Sequence, residues 1–251
     1  MDFSIDIKEK SGVRSLHFDG RWMQGAMRVA QPWDLELEYT QLMMASLLLR
    51  DDVNFPRNVL MVGLGAGSLT KFLYRYFPFA QLTVVEIDER VLVTASEHFV
   101  LPEDPQRLQI VIGDGVEYMK NTAQTYDLIL VDGFNEKAHP GDLNTLAFYQ
   151  NCRSRLTDIG LLVVNLIGLC HGIKGGFAYV ETAFENRALM LPKCKSGNTI
   201  AIAVNGREIN LSCDELKERS RALEARTNLA LMPTLTKLEN DPLCQQGRLV
   251  L

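Results

Sequence analysis

"NVLMVGLGAGSLTKFLYRYF" (58–77) joins an apolar run to three alternating glycines and then to a helical pattern. The run "VLMVGL" (59–64) has the length and composition of a buried strand. Gly63, Gly65 and Gly67 allow a tight turn and a close approach of backbone to ligand. The helix expected over 68–77 opens with unpaired N–H groups that suit ligand oxygens. A strand, a glycine turn and a helix in that order form a common start of a nucleotide site.

The pattern continues downstream. Apolar strand-like runs follow at 82–87, 108–113, 126–132, 160–167 and 199–204. Helical patterns lie between them at 88–99, 115–121, 144–156 and 174–186. Continuous apolar strands alternating with helices predict an α/β fold with a mostly parallel sheet covered on both faces. "ALMLPKC" (188–194) reads as a further strand near an edge, where its proline is tolerated. Residues 212–227 read as a charged helix capped by Ser212 or Asp214, and the last twenty residues, which contain prolines, as irregular.

Upstream the period changes. "FSIDIKE" and "VRSLHFDG" alternate apolar and polar residues, as half-buried strands do, with turns at Ser11-Gly12 and Asp19-Gly20. A third short strand is expected around Met23 to Val29. The spacing of Leu35, Tyr39, Leu42, Met43 and Leu47 predicts a linking helix. The organisation expected is a small N-terminal β domain with its helix over 1–52, then a nucleoside-binding catalytic domain over 53–251.

Composition narrows the class. The chain has 251 residues, 47% of them hydrophobic, with a net charge of −5. A sizeable core can be buried, and nothing in the charge favours nucleic acid. The five cysteines are scattered without a C-x-x-C pair, which suits reduced thiols. The N-terminus is unlike a signal peptide and no apolar run is long enough to span a bilayer, so a cytoplasmic location is expected and no membrane partner. The four histidines lack metal-ligand spacing, so no metal is expected.

Ligands of a doubly wound sheet bind beyond the carboxyl ends of its strands, so the polar residues there matter most. They are the 63–67 turn, then Glu86, Asp114-Gly115 and Asp132. Each has a bland reading: a plain turn, a solvated strand end, a helix cap, the start of a loop. All four at successive strand ends favour one nucleoside site. The dinucleotide pattern G-x-G-x-x-G fits poorly, because the third glycine comes one position early and Ser68 follows it. Glu86 stands at a distance that still suits a nicotinamide cofactor. Acids after the third and fourth strands suit a compact nucleoside carrying a cationic sulfur better.

On these residues the chain resembles the spermidine synthase (polyamine aminopropyltransferase) family, within the S-adenosylmethionine-dependent methyltransferase fold. The resemblance is carried by "VLMVGLGAGSL", "VVEIDERVL", "VIGDGVEYM", "YDLILVDGF" and "AFYQNCRSRLTDIGLLVVN", with "LHFDGRWMQ" near the start. It implies a Rossmann-like seven-stranded sheet preceded by a small β appendage, usually in a homodimer. It implies S-adenosylmethionine or its decarboxylated form as co-substrate and a small-molecule amine, a polyamine in the family, as acceptor. It places Glu86 on the ribose, Asp114 on the adenine with Gly115 nearby, and Gly63, Gly65 and Gly67 against the nucleoside. Gln24 falls beside the sulfur, and Asp132 at the carboxylate that receives the proton of the attacking amine. Tyr39 and Asn135 fall at substrate-binding positions.

The departures lie on the acceptor side. The family's turn carries an acid where this chain has Ala66, its second acid after strand four is Asn135 here, and its Y-H-E segment reads Tyr39-Thr40-Gln41. The nucleoside site is therefore expected to persist while the diamine site is weakened or repurposed. The transferred group, aminopropyl or methyl, stays open. A nicotinamide-dependent oxidoreductase and a non-catalytic nucleoside-binding protein are the alternatives. His139 and His171 could reach the cleft but read more simply as loop residues. Phe134 is as plausible a lid as a packed loop aromatic, and Met43 and Met44 belong to a core or an interface.

Overall fold

Seven strands form the central sheet of the computed structural model, which describes residues 3–20, 22–135, 137–168, 172–239 and 244–251. Three antiparallel strands come first: β1 (Ile5–Lys10), β2 (Val13–Phe18) and β3 (Trp22–Arg28). Their turns fall at Ser11-Gly12 and Asp19-Gly20, where all four residues have positive φ. The linker is α1 (Glu38–Met43), continued by a 3-10 turn, Met44–Leu48. Met43 and Met44 are fully buried, so they belong to the core.

The main unit alternates as the sequence predicts. Its elements are β4 (Asn58–Val62), α2 (Ser68–Tyr76), β5 (Gln81–Glu86), α3 (Glu89–His98), β6 (Leu108–Ile112), α4 (Gly115–Asn121), β7 (Tyr126–Val131), α5 (Leu146–Ser154) and β8 (Leu156–Ile167). Then come α6 (Gly172–Ala183), β9 (Ala188–Met190) and β10 (Asn198–Val204). The strand order is β6-β5-β4-β7-β8-β10-β9. The first five are parallel to their neighbours; β10 runs antiparallel between β8 and β9. This inversion brings the start of β10 to the end of β8, with Asn198 paired to Ile167.

β9 is the expected edge strand, and Pro192 lies outside it, so no ladder N–H is lost. The C-terminus departs from the sequence reading. It is ordered as β11 (Asn210–Ser212), α7 (Cys213–Thr227), α8 (Met232–Leu238), β12 (Cys244–Gln245) and β13 (Arg248–Val250). β13 pairs with β12 in a short local hairpin and with β11 across α7 and α8, a long-range pairing that leaves no local period in the sequence. Pro233 starts α8 instead of breaking it, because the first helical N–H groups have no partner to lose. α7 has its expected start: the Ser212 hydroxyl accepts from the Glu215 N–H and the Glu215 carboxylate returns the contact to Ser212.

The appendage and the main unit share a core. Phe3, Leu16, Phe18 and Met27 belong to the same buried cluster as Leu69, Phe72, Phe99 and Leu101. Between the two layers, β3 lies directly on the 63–67 turn. No helix among the described residues is long and apolar enough to cross a membrane.

Candidate active site

A cleft of about 700 Å³ opens at the carboxyl ends of the parallel strands. Its floor starts at the glycine turn. Gly63 has φ +98°, and a Cβ there would strike the carbonyl oxygen of Asp132. Gly65 has φ +52°, and a Cβ would lie 2.6 Å from the carbonyl oxygen of Gln24 on β3. A side chain is therefore excluded at both positions on two counts, backbone conformation and space. Gly67 caps α2 in the left-handed conformation beneath Leu101 and does not line the cleft. Gln24, Gly63 and Gly65 do line it.

Glu86 ends β5 at the cleft wall. Its carboxylate accepts from the N–H groups of Leu64 (2.9 Å) and Asp88 (3.0 Å), so it fastens the glycine turn to the next strand end. Burial pushes its carboxyl up from the ordinary value, and the backbone N–H groups partly offset this. Asp114 caps α4, one oxygen accepting from Val116 (2.7 Å) and Glu117 (3.2 Å). The cap and the ligand reading coexist, since Asp114 and Gly115 also line the cleft. Asp88, beside Glu86, is neutralised by Arg90 at 2.6 Å.

Asp132, just beyond β7, holds the centre. Asn165 of β8 donates its amide NH2 to one carboxylate oxygen at 2.8 Å. The Tyr39 hydroxyl donates to the other at 3.1 Å. Burial raises the Asp132 carboxyl above its ordinary value, while Asn165 and then Tyr39 pull the other way by stabilising the charged form. The Tyr39 phenol is pushed well up, by burial first and by the Asp132 charge second. Tyr39 is thus brought against the Asp132 carboxylate.

The other residues expected on the acceptor side divide. Asn135 lines the cleft, but its amide oxygen accepts from the N–H groups of Lys137 (3.0 Å) and His139 (2.9 Å) and so shapes its own loop. Phe134 and His139 line the cleft from that loop. His171 and Cys170 lie outside the described residues. Ala66 is 2% exposed and faces Gly25 of β3, where an added Cβ would sit 2.6 Å from the Ala66 Cβ. Gln41 is also turned from the cleft, its amide NH2 donating to the Leu35 carbonyl at 2.7 Å.

Two groups escaped the sequence reading. Asn165 and Asn198 line the cleft and hydrogen-bond to each other at 2.9 Å. The signal for Asn165 was one amide inside "LLVVNLI". Glu38, at the start of α1, lines the rim and accepts the Lys195 N–H at 3.0 Å. Among the described residues Glu38 forms no ion pair. No group of three or more His, Cys, Asp or Glu among the described residues is placed to hold a metal ion.

Comparison with known proteins gives the family and the fold. The spermine/spermidine synthase domain matches residues 36–166. A polyamine aminopropyltransferase of Chromobacterium violaceum is 32% identical over 250 residues, 98% of this chain and 94% of the relative. The human Methyltransferase-like protein 13, solved in complex with SAH, superposes with a TM-score of 0.67 and 28% identity over 76% of this chain and 93% of that one. A spermidine synthase solved with the transition-state analogue AdoDATO gives a TM-score of 0.70 and 22% identity over 91% of this chain and 77% of that one, a likeness of fold. With the domain match covering half of its length and a near full-length relative above 30% identity, the chain belongs to the spermine/spermidine synthase family of transferases.

Proposed function

We propose that this chain transfers the aminopropyl group of decarboxylated S-adenosylmethionine to a primary amine. The observation that carries this reading is the Asp132 carboxylate in the cleft, with Tyr39 and Asn165 each donating to one of its oxygens. An alkyl amine is mostly protonated near neutral pH and must give up a proton to react. Its nitrogen lone pair attacks the carbon next to the sulfonium. The C–S bond breaks with its electrons going to sulfur, so methylthioadenosine leaves as a neutral thioether. The proton released from nitrogen passes to the Asp132 carboxylate. A carboxyl raised by burial is a stronger base than an exposed one, which suits this task.

The donor half of the cleft fits an adenosyl group. Glu86 offers carboxylate lone pairs to the ribose hydroxyls, Asp114 offers its oxygens to the adenine amino group, and Gly63 and Gly65 leave backbone open for close contact. At the acceptor end Glu38 supplies a carboxylate that has no paired cation among the described residues, placed to hold the far ammonium of a diamine. In this reading the acceptor site is rebuilt: Ala66 and Gln41 face away from the cleft, and the acid stands at 38.

The test is turnover of decarboxylated S-adenosylmethionine with 1,4-diaminobutane and with 1-aminobutane, products read by mass spectrometry. Aminopropylated product is expected with both, with the lower KM for the diamine. Glu38→Gln keeps an oxygen for the Lys195 N–H and removes only charge. It should raise the KM of the diamine about fivefold to tenfold, the range of a charge-assisted hydrogen bond at an open rim, and leave the monoamine unchanged. No product from either amine would overturn the reading. One observation favours a second reading, methyl transfer from intact S-adenosylmethionine: the methyltransferase-like protein solved with SAH shares this fold at a TM-score of 0.67 and 28% identity. Methylated amine in the same assay with the intact donor would establish it. The nicotinamide alternative is not favoured by the family to which the chain belongs.

A further inference from the structure

Asp132 stands at the end of a chain of side-chain hydrogen bonds with a fixed direction. Asn165 and Asn198 are diagonal neighbours on one face of the antiparallel β8–β10 pair, where Asn165 pairs with Ile200 and Asn198 with Ile167. They are only 4% and 8% exposed. The Ser196 hydroxyl reaches the Asn198 amide oxygen at 2.7 Å, the Asn198 NH2 group reaches the Asn165 amide oxygen at 2.9 Å, and the Asn165 NH2 group reaches Asp132 at 2.8 Å.

The direction follows from what each group can do. An ionised carboxylate only accepts, so Asn165 must present its NH2 group to Asp132. Its oxygen then faces Asn198, which must present its own NH2 group in turn. The Asn198 oxygen is left facing Ser196, whose hydroxyl can donate. Without that partner the buried Asn165 oxygen is left unpaired and the amide is held from one side alone, so its NH2 group is aimed at the carboxylate less firmly. A buried polar network of this kind has large consequences when one member is reversed.

We infer that Asn198 is a positioning residue of the reaction, acting through Asn165 to keep an NH2 group toward the Asp132 carboxylate. The inference rests on the proposed role of Asp132 as proton receiver. It assigns a task to the first residue of β10, a strand that contacts no reacting atom in the proposed chemistry.

The experiment compares the full-length protein with Asn198→Ala and Asn198→Asp. Asp132 is titrated directly by NMR with carboxyl-labelled aspartate, its signal assigned with Asp132→Asn, and kcat/KM is measured against pH in parallel. Asn198→Ala frees the Asn165 amide, so Asp132 should titrate at higher pH and kcat/KM on the acid side should fall about tenfold. Asn198→Asp brings a second acceptor, which draws the Asn165 NH2 group away from Asp132. Its effect should exceed that of Asn198→Ala. Methylthioadenosine affinity should stay unchanged in both. An unmoved Asp132 titration in the two folded variants would overturn the inference, as would Asn198→Asp matching the wild type. A wild type that converts no amine would sink the proposed reaction instead, and the Asp132 titration would still decide the relay.

Discussion

At the residue scale the site turns on how one carboxylate is held. Asp132 is raised by burial and lowered by two donors, so its protonation state is a balance that each donor tips. Tyr39→Phe removes one donor to the charged form. The sign follows directly: with less support for the anion, Asp132 protonates more readily and the acid limb of the kcat/KM–pH profile moves to higher pH. Below that limb activity should fall about tenfold, with a smaller loss on the plateau, since hydrogen bonds to charged groups carry ~1.5–3 kcal/mol. A profile that keeps its limb and only drops in height would show that Tyr39 acts elsewhere. Asp132, Glu86 and Asp114 were legible in the sequence because each follows an apolar strand, where a doubly wound sheet presents its ligand groups. Asn165 and Asn198 were not, because their importance lies in contact with each other across strands that the sequence does not pair. Asn135 was read as a substrate contact. Its amide oxygen is spent on the loop, and its part in binding remains a proposal.

At the scale of elements, β3 decides what the glycine turn can carry. The strand lies so close that Gly25 meets Ala66 and the Gln24 carbonyl meets Gly65. Ala66→Asp, the residue type the family places there, has no room with β3 in this position. The added carboxylate must either push the strand away or stay buried among apolar groups. The expected outcome is a loss of about 2–4 kcal/mol in stability, together with weaker methylthioadenosine binding, measured by chemical denaturation and calorimetry. Unchanged stability and affinity would mean that β3 yields without cost. The turn itself was readable from the spacing of its glycines. The clamp was not, because β3 and the turn lie about forty residues apart in the chain and only the folded layers bring them together.

At the scale of the molecule, the sequence reads as a small domain followed by a large one, yet a single buried cluster runs through both. The appendage is expected to unfold with the main sheet in one transition. Both tryptophans, Trp22 and Trp33, lie in the first 52 residues, so their fluorescence reports the appendage, while far-ultraviolet circular dichroism reports the whole. Coincident denaturation curves are expected, and an earlier fluorescence transition would show that the appendage melts alone. The C-terminal sheet was the largest omission of the sequence reading, since β11 and β13 are separated in the chain by α7 and α8 and pair only in the folded molecule. The inverted strand β10 has a further consequence. In the proposed reading the adenosyl group lies at the ends of β4, β5 and β6, whereas the segment from β9 to β10 brings Lys195, Ser196 and Asn198 to the cleft beside Glu38 and Asn165, where the amine is placed. A lineage could therefore lengthen, shorten or recharge residues 191–197 and change its amine partner, while the machinery that grips the nucleoside stays as it was inherited.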